Sequence, residues 1–427
     1  MIKALRRLYN SVTKKERKVV LENFFSLSTL QGITYILPVF VLPYLIRVLG
    51  PERFGLIAFA QAFIQYFLIL TDYGFNVTAT RQIALCRQKQ DKVCEIFSSV
   101  ITIKVILAVA SLGVMALILR FVPRFAQDWQ VYCLSFGVVI GNTLFPVWFY
   151  QGTEKMRYIA ILNVIAGFLF LAGVFIFVRK ASDYLIVPFL QSMISLVVGV
   201  IAFSLAFRKF NISYILQTYP DIKQQVKDGW NVFSSIVAIN SYTATRIFAL
   251  GLLTNNVLTG YYTIAERIAA AIQAFPLLSF SQAVFPRISH IFKRSKKRAF
   301  QLMTKMQYVA TQGFILSLPI IFIAAPWIIR IVTGHRYEVA TASLRLLLLA
   351  VFFVGANAFR VQFLLVSGRA KSYATIHITM ALIGLPLIFL WTYFFSYLGA
   401  AIVGVFIEGG IFVLTSESLN DLREQYT

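Results

Sequence analysis

Acidic residues are scarce in this chain. Only 17 Asp and Glu stand against 40 Lys and Arg in 427 residues, and charged residues of both signs make up 13% of the sequence. So few charges cannot clothe the surface of a soluble protein of this size. Cysteine and histidine are rarer still, with three of each. Cys86 and Cys94 share one inter-span segment, Cys133 lies in an apolar run, and no CxxC or Cys/His ligand spacing occurs. A disulfide framework and a zinc site are therefore not expected. His290, His335 and His377 are scattered without a motif. Ser367-Gly368-Arg369-Ala370-Lys371-Ser372 lacks the spacing of a phosphate-binding loop, so no ATP site is expected. With no acidic metal pair and no nucleophile–base constellation, the chain reads as a protein without cofactor and without enzymatic chemistry.

What is present is apolar. Hydrophobic residues make up 59% and aromatic residues 15% of the chain, in runs that recur along its whole length. A helical run of roughly 20 apolar residues crosses a bilayer. The pattern predicts twelve spans, at 24–49, 54–72, 97–119, 130–150, 159–178, 184–206, 231–253, 257–284, 307–332, 342–366, 373–395 and 397–416. The expected fold class is thus an all-α polytopic membrane protein. A formal charge of +23 would suggest nucleic acid on a soluble protein. Here no nucleic-acid partner is expected, because cytoplasmic loops of membrane proteins collect Lys and Arg. With the N-terminus inside, 27 basic residues fall in cytoplasmic segments and 8 in outer ones, which predicts cytoplasmic termini. The stretch Met1–Lys18 is basic and the first apolar run is too long for a signal segment, so no cleavable leader is expected. The longest loops are predicted at 73–96, 207–230 and 285–306. Trp148-Phe149-Tyr150, Trp327, Trp391 and Tyr393 lie near span ends and are expected to be interfacial anchors.

The chain also repeats itself. Asn23-Phe24-Phe25-Ser26 is echoed by Asn231-Val232-Phe233-Ser234, Gly55 to Gln61 by Gly260 to Glu266, and Arg81-Gln82-Ile83 by Arg287-Ile288-Ser289, at offsets of 208, 205 and 206. Six spans is an even number, so the second half re-enters with the orientation of the first and the repeats are parallel. The expected division is an N-terminal lobe at 1–207, a cytoplasmic linker at 208–230 and a C-terminal lobe at 231–427. Internal repeats of this kind point to a transporter with its site at the repeat interface.

Charges inside the spans are the candidates for function. Lys104 and Arg345 lie close enough to span ends to snorkel. Arg267, Glu266 and Glu408 lie nearer mid-span, where a charge costs at least ~2.5–3.5 kcal/mol unless it faces protein or water. Arg246 and Arg360 lie about two turns from a span end and are singled out by polar residues on the same face, and Asp72 closes the second span. In the second span Gln61, Gln65 and Asp72 fall at i, i+4 and i+11, and in the eighth Tyr262, Glu266 and Gln273 do the same. Tyr242, Thr243 and Arg246 share a face of the seventh span, and Asn357, Arg360 and Ser367 a face of the tenth. Two roles stay open: ion pairs that lock helices together, or a water-filled path between the halves. The site expected is Arg246, Arg267, Arg360, Gln61, Gln65, Tyr242 and Gln273 for substrate, with Asp72, Glu266 and Glu408 for ion coupling or gating.

The whole chain resembles the Wzx O-antigen flippases of the polysaccharide-transporter branch of the multidrug/oligosaccharidyl-lipid/polysaccharide (MOP, MATE-like) exporter superfamily. The residues that carry the resemblance are Leu49 to Gly55 (LGPERFG), Asp72 to Arg81 (DYGFNVTATR) and Pro146 to Met156 (PVWFYQGTEKM), with Tyr262 to Arg267 and Phe285 to Ser289 as second-half counterparts. The resemblance implies about twelve transmembrane helices in two parallel-repeat six-helix lobes. It implies a flippase moving undecaprenyl-pyrophosphate-linked O-antigen units from the cytoplasmic to the periplasmic leaflet of a bacterial inner membrane. It further implies membrane lipid as surroundings, H⁺ or Na⁺ as candidate coupling ions, and an O-antigen polymerase and chain-length regulator as candidate associates. A capsule or exopolysaccharide flippase, a drug/cation antiporter and a membrane O-antigen polymerase are the alternatives. An antiporter cavity should be dominated by acids and a polymerase should carry a large outer loop, neither of which is seen.

Overall fold

The computed structural model describes residues 14–292 and 294–426. Side chains are described for 40–420, apart from 231, 235, 275–287, 289, 290, 293 and 370. The basic residues Lys3, Arg6, Arg7 and Lys293, and the side chains of the first span before Phe40, lie outside this description. Every regular element among the described residues is helical: α1 Lys14–Asp72, α2 Phe75–Cys86, α3 Gln90–Phe121, α4 Pro123–Ala126, α5 Trp129–Leu144, α6 Val147–Gly152, α7 Met156–Phe177, α8 Ile186–Phe210, α9 Tyr219–Leu253, α10 Asn256–Phe292, α11 Lys296–Thr333, α12 Glu338–Gly355, α13 Ala358–Val366 and α14 Ala370–Tyr426. One 3₁₀ turn covers Ala181–Leu185. All twelve expected spans fall on these helices.

Nine helical stretches among the described residues are long and apolar enough to cross a membrane. Phe40–Cys86 and Lys371–Asn420, with 47 and 50 residues, exceed a single crossing. Both contain a break. Gly50 takes φ 71° and ψ 169° in α1, and Ser396 takes φ 54° and ψ −132° in α14. Such backbone separates consecutive spans within what would otherwise be one helix, and at Gly50 it needs a residue without Cβ.

The expected long loops are mostly helix. The segment 73–96 holds α2 and the start of α3, and 285–306 holds the end of α10 and the start of α11. Hydropathy reports only the lipid-facing part of a helix, so polar turns beyond the bilayer were read as loop. The expected linker 208–230 is likewise ordered. Residues 211–218 run without regular structure beside α3, whose Ser98 hydroxyl accepts the Ile215 N–H at 3.0 Å, while Thr102 and Tyr214 hydroxyls pair at 2.8 Å. The Asp221 carboxylate then caps the start of α9: the Thr218 N–H and hydroxyl both donate to it, at 3.1 and 2.5 Å. These donors hold the exposed Asp221 carboxyl below its usual range.

The chain forms two compact units. The first comprises Met1–Leu42, Phe67–Arg179 and Leu185–Phe233. Its core gathers around Phe97, whose ring meets Trp148 at 5.3 Å, Phe149 at 5.4 Å and Phe207 at 5.7 Å. Trp148, Phe149 and Tyr150 are therefore buried and not interfacial anchors. Between Leu144 and Val147 the chain leaves the helix, and α6 re-aims its aromatic run into the core. The Tyr150 hydroxyl donates to the Ala202 carbonyl at 2.5 Å, so its polar tip is satisfied inside. Trp327 and Tyr393 are exposed, as anchors should be.

The second unit comprises Pro43–Tyr66, Lys180–Tyr184 and Ser234–Thr427. There α1 packs against the start of α10. A Cβ on Gly55 would stand 1.8 Å from the Asn256 carbonyl oxygen, and one on Gly260 would stand 2.0 Å from the Pro51 carbonyl oxygen. Gly55 and Gly260 correspond in the repeat, and at the same offset Pro51 corresponds to Asn256. The contact is thus reciprocal between these two stretches of sequence. Elsewhere, buried Gln307 on α11 bridges the break between α12 and α13. Its amide N–H donates to Gly355 O at 3.1 Å and its carbonyl accepts the Phe359 N–H at 3.1 Å. Both backbone groups are ones a helix end leaves unpaired.

Candidate substrate and ion site

In the second unit the charged residues of three helices converge. Arg246 on α9 makes an ion pair with Glu266 on α10, Nη2 to Oε1 at 3.0 Å, and both side chains are mostly buried. The other amino group, Nη1, faces Gly404 on α14, where an added Cβ would stand 2.5 Å away. Glu408, one turn further along α14, interacts electrostatically with the same guanidinium. Tyr262, one turn before Glu266, is fully buried against this charge. Arg246 Nε makes no hydrogen bond among the described residues. Two carboxylates share one guanidinium, so the cluster carries a net negative charge when all three are ionised.

Polar groups continue from it. Tyr66 and Thr245 hydroxyls pair at 2.6 Å. Tyr242 is buried, its hydroxyl 3.1 Å from His377 Nδ1, and Tyr373 meets the His377 ring at 4.4 Å. Glu408 interacts electrostatically with Tyr242 and Tyr373. Thr243, expected on the Arg246 face, is exposed and bonds back to Asn240 O at 3.0 Å. Arg267 is exposed and reaches Gln61 Oε1 at 3.5 Å. Gln65 and Gln273 are half-buried. Arg360 lies on α13, donating to the Ser416 hydroxyl at 2.9 Å, with its guanidinium 4.6 Å from the centre of the Phe412 ring.

Asp72 belongs to the first unit. Its carboxylate accepts from Asn76 Nδ2 at 2.8 Å and lies 3.8 Å from Lys104 Nζ. Of the three acids, therefore, Glu266 and Glu408 meet at Arg246 while Asp72 pairs with a lysine that sequence reasoning assigned to snorkelling. Lys104 is 1% exposed. It sits near the middle of α3 because that helix starts at Gln90, several residues before the apolar run. His377, without a motif in the sequence and only one turn inside the eleventh predicted span, is brought into the site by its contact with Tyr242.

The fold is shared with solved transporters of the MOP superfamily. The structure superposes on "Lipid II flippase MurJ, inward closed conformation" with TM-score 0.74 at 14% identity, over 94% of this chain and 87% of that one. It superposes on an inward-facing multidrug-resistance MATE family transporter of the MOP superfamily with TM-score 0.71 at 13% identity, over 92% and 96%. The chain belongs to the family described as polysaccharide biosynthesis protein, whose model matches residues 20–292. It is similar to proteins named "Putative O-antigen transporter": 31% identical over 382 residues in Escherichia coli K12, covering 89% of this chain and 92% of the relative, and 26% over 392 residues in Shigella dysenteriae, covering 91% and 96%. These relatives are transporters, not enzymes.

Proposed function

We propose that the protein flips undecaprenyl-pyrophosphate-linked O-antigen oligosaccharide units from the cytoplasmic to the periplasmic leaflet of a bacterial inner membrane by alternating access. Both termini are cytoplasmic, and residues 1–207 and 231–427 act as the two lobes. The observation that carries the reading is the Arg246 guanidinium, mostly buried and shared between Glu266 and Glu408. A buried cation costs several kcal/mol unless it is paired or has an anion to receive. Its planar fork matches a pyrophosphate or a sugar acid by charge and geometry.

A sugar hydroxyl stripped of water in hydrocarbon loses several kcal/mol, so passage needs polar lining. Arg267, Arg360, Gln61, Gln65, Tyr242 and Gln273 supply it in this reading. Glu266 and Glu408 take up the H⁺ or Na⁺ that Arg246 no longer balances when an anion binds it, and Asp72 belongs with the gating. With the inside negative, outward movement of a dianionic headgroup gains ~2.3 kcal/mol per charge per 100 mV. O-antigen polymerase and the chain-length regulator are the proposed associates that receive the unit.

Deleting the gene in its host tests this. Surface O-antigen should disappear, with lipid-linked single units held on the cytoplasmic side. Units that still reach the periplasm while only elongation fails would favour a polymerase.

A further inference from the structure

The first unit encloses a charge that transport of an anion does not call for. Lys104 is fully buried near mid-helix, with its ammonium 3.8 Å from Asp72 Oδ1 and 3.4 Å from the Asn142 backbone carbonyl oxygen. Neither approach is a short hydrogen bond. The ammonium lies beside two oxygens, at the outer limits of hydrogen-bond and ion-pair distance. One is a carboxylate oxygen, already held by the Asn76 amide. Another is a backbone carbonyl oxygen one turn before the break at Phe145–Pro146. Oxygen donors of this kind suit hard cations.

We infer that Lys104 is a resident cation, covalently tethered in the place where a monovalent metal ion would otherwise neutralise Asp72. The consequence is specific. Asp72 takes no Na⁺ or K⁺ from solution, and ion dependence, where the protein shows it, arises outside the first unit. The inference stands whatever substrate the protein carries. It differs from a plain helix-locking pair, because a locking pair leaves nothing for a free ion to replace, whereas a tethered ion leaves a site when its tether is cut.

The test uses purified full-length protein in detergent. Thermal unfolding is compared in NaCl, in KCl and in N-methylglucamine chloride at equal ionic strength. Any Na⁺ or K⁺ response of the wild type is expected to persist in Asp72→Asn, because it arises outside the first unit. Lys104→Ala should unfold earlier in N-methylglucamine and recover saturably with Na⁺ or K⁺. Asp72→Asn added to Lys104→Ala should remove that response, and Lys104→Ser, which also cuts the tether, replaces Lys104→Ala if that variant accumulates poorly. A wild-type protein stabilised by Na⁺ or K⁺ through Asp72 would overturn the inference. So would a Lys104→Ala protein equally weakened in all three salts, or a double variant that keeps the response.

Discussion

Replacing Arg246 with Ala is expected to abolish transport while the protein still inserts and accumulates. Removing one member of a buried pair leaves an uncompensated charge, which costs about 3–5 kcal/mol when the remaining group stays ionised. Glu266 loses its 3.0 Å partner and Glu408 the same neighbouring cation, so the loss of stability should be measurable. The loss of transport should be complete, because the two carboxyls left behind offer an anionic headgroup no cation. Arg246→Lys should restore part of the rate, since it keeps the charge and loses the planar fork. The comparison that separates binding from scaffolding is Arg246→Ala with Glu266→Ala. That double variant should regain much of the thermal stability and none of the transport. If it transports normally, the 3.0 Å pair with Glu266 is only a helix lock.

The second large effect is expected at the glycine pair. Gly55→Ala sets a methyl group 1.8 Å from the Asn256 carbonyl oxygen, and Gly260→Ala sets one 2.0 Å from the Pro51 carbonyl oxygen. Backbone cannot rotate away as a side chain does. Each change should therefore exceed the ~1–3 kcal/mol typical of overpacking and depress yield and thermal stability together. Gly251→Ala is the informative contrast, because its methyl meets the Phe59 ring at 2.3 Å. Trimming Phe59 to Ala removes the Cγ and Cδ2 atoms at 2.6 and 2.3 Å and should ease that clash, whereas no side-chain trimming should rescue Gly55 or Gly260. Gly113→Ala meets nothing within 4 Å and should be neutral or slightly stabilising. Thermal unfolding of the four variants in one detergent reads the whole series.

Much of this was legible in sequence, because a bilayer enforces long apolar helices and little else spans it. The repeat spacing marked Gly55 and Gly260, and the structure shows those residues in reciprocal contact. Charge inside an apolar run marked Arg246, Glu266 and Glu408, and these three converge. What escaped depends on where helices end and on which way a kink turns them. Hydropathy placed the start of the third span at residue 97, which put Lys104 near a span end; α3 starts at Gln90, which puts it near the middle. The aromatic run at Trp148 has the composition of an interfacial belt, and only the break before α6 turns it inward. Tyr242 and His377 meet across 135 positions of sequence, a pairing that helix periodicity does not encode.

The central claim is that the protein carries an anionic lipid-linked oligosaccharide across the bilayer and that Arg246 is needed for the crossing. The most direct measurement uses proteoliposomes containing the full-length protein and a fluorescent undecaprenyl-pyrophosphate-linked oligosaccharide in both leaflets. A membrane-impermeant quencher then reads which leaflet holds the label. Wild type should bring the inner-leaflet half of the label within reach of the quencher, faster when a membrane potential drives the anion outward. Arg246→Ala vesicles should match protein-free ones. Wild-type vesicles that also match protein-free ones, or Arg246→Ala vesicles that empty the inner leaflet as fast as wild type, would contradict the account.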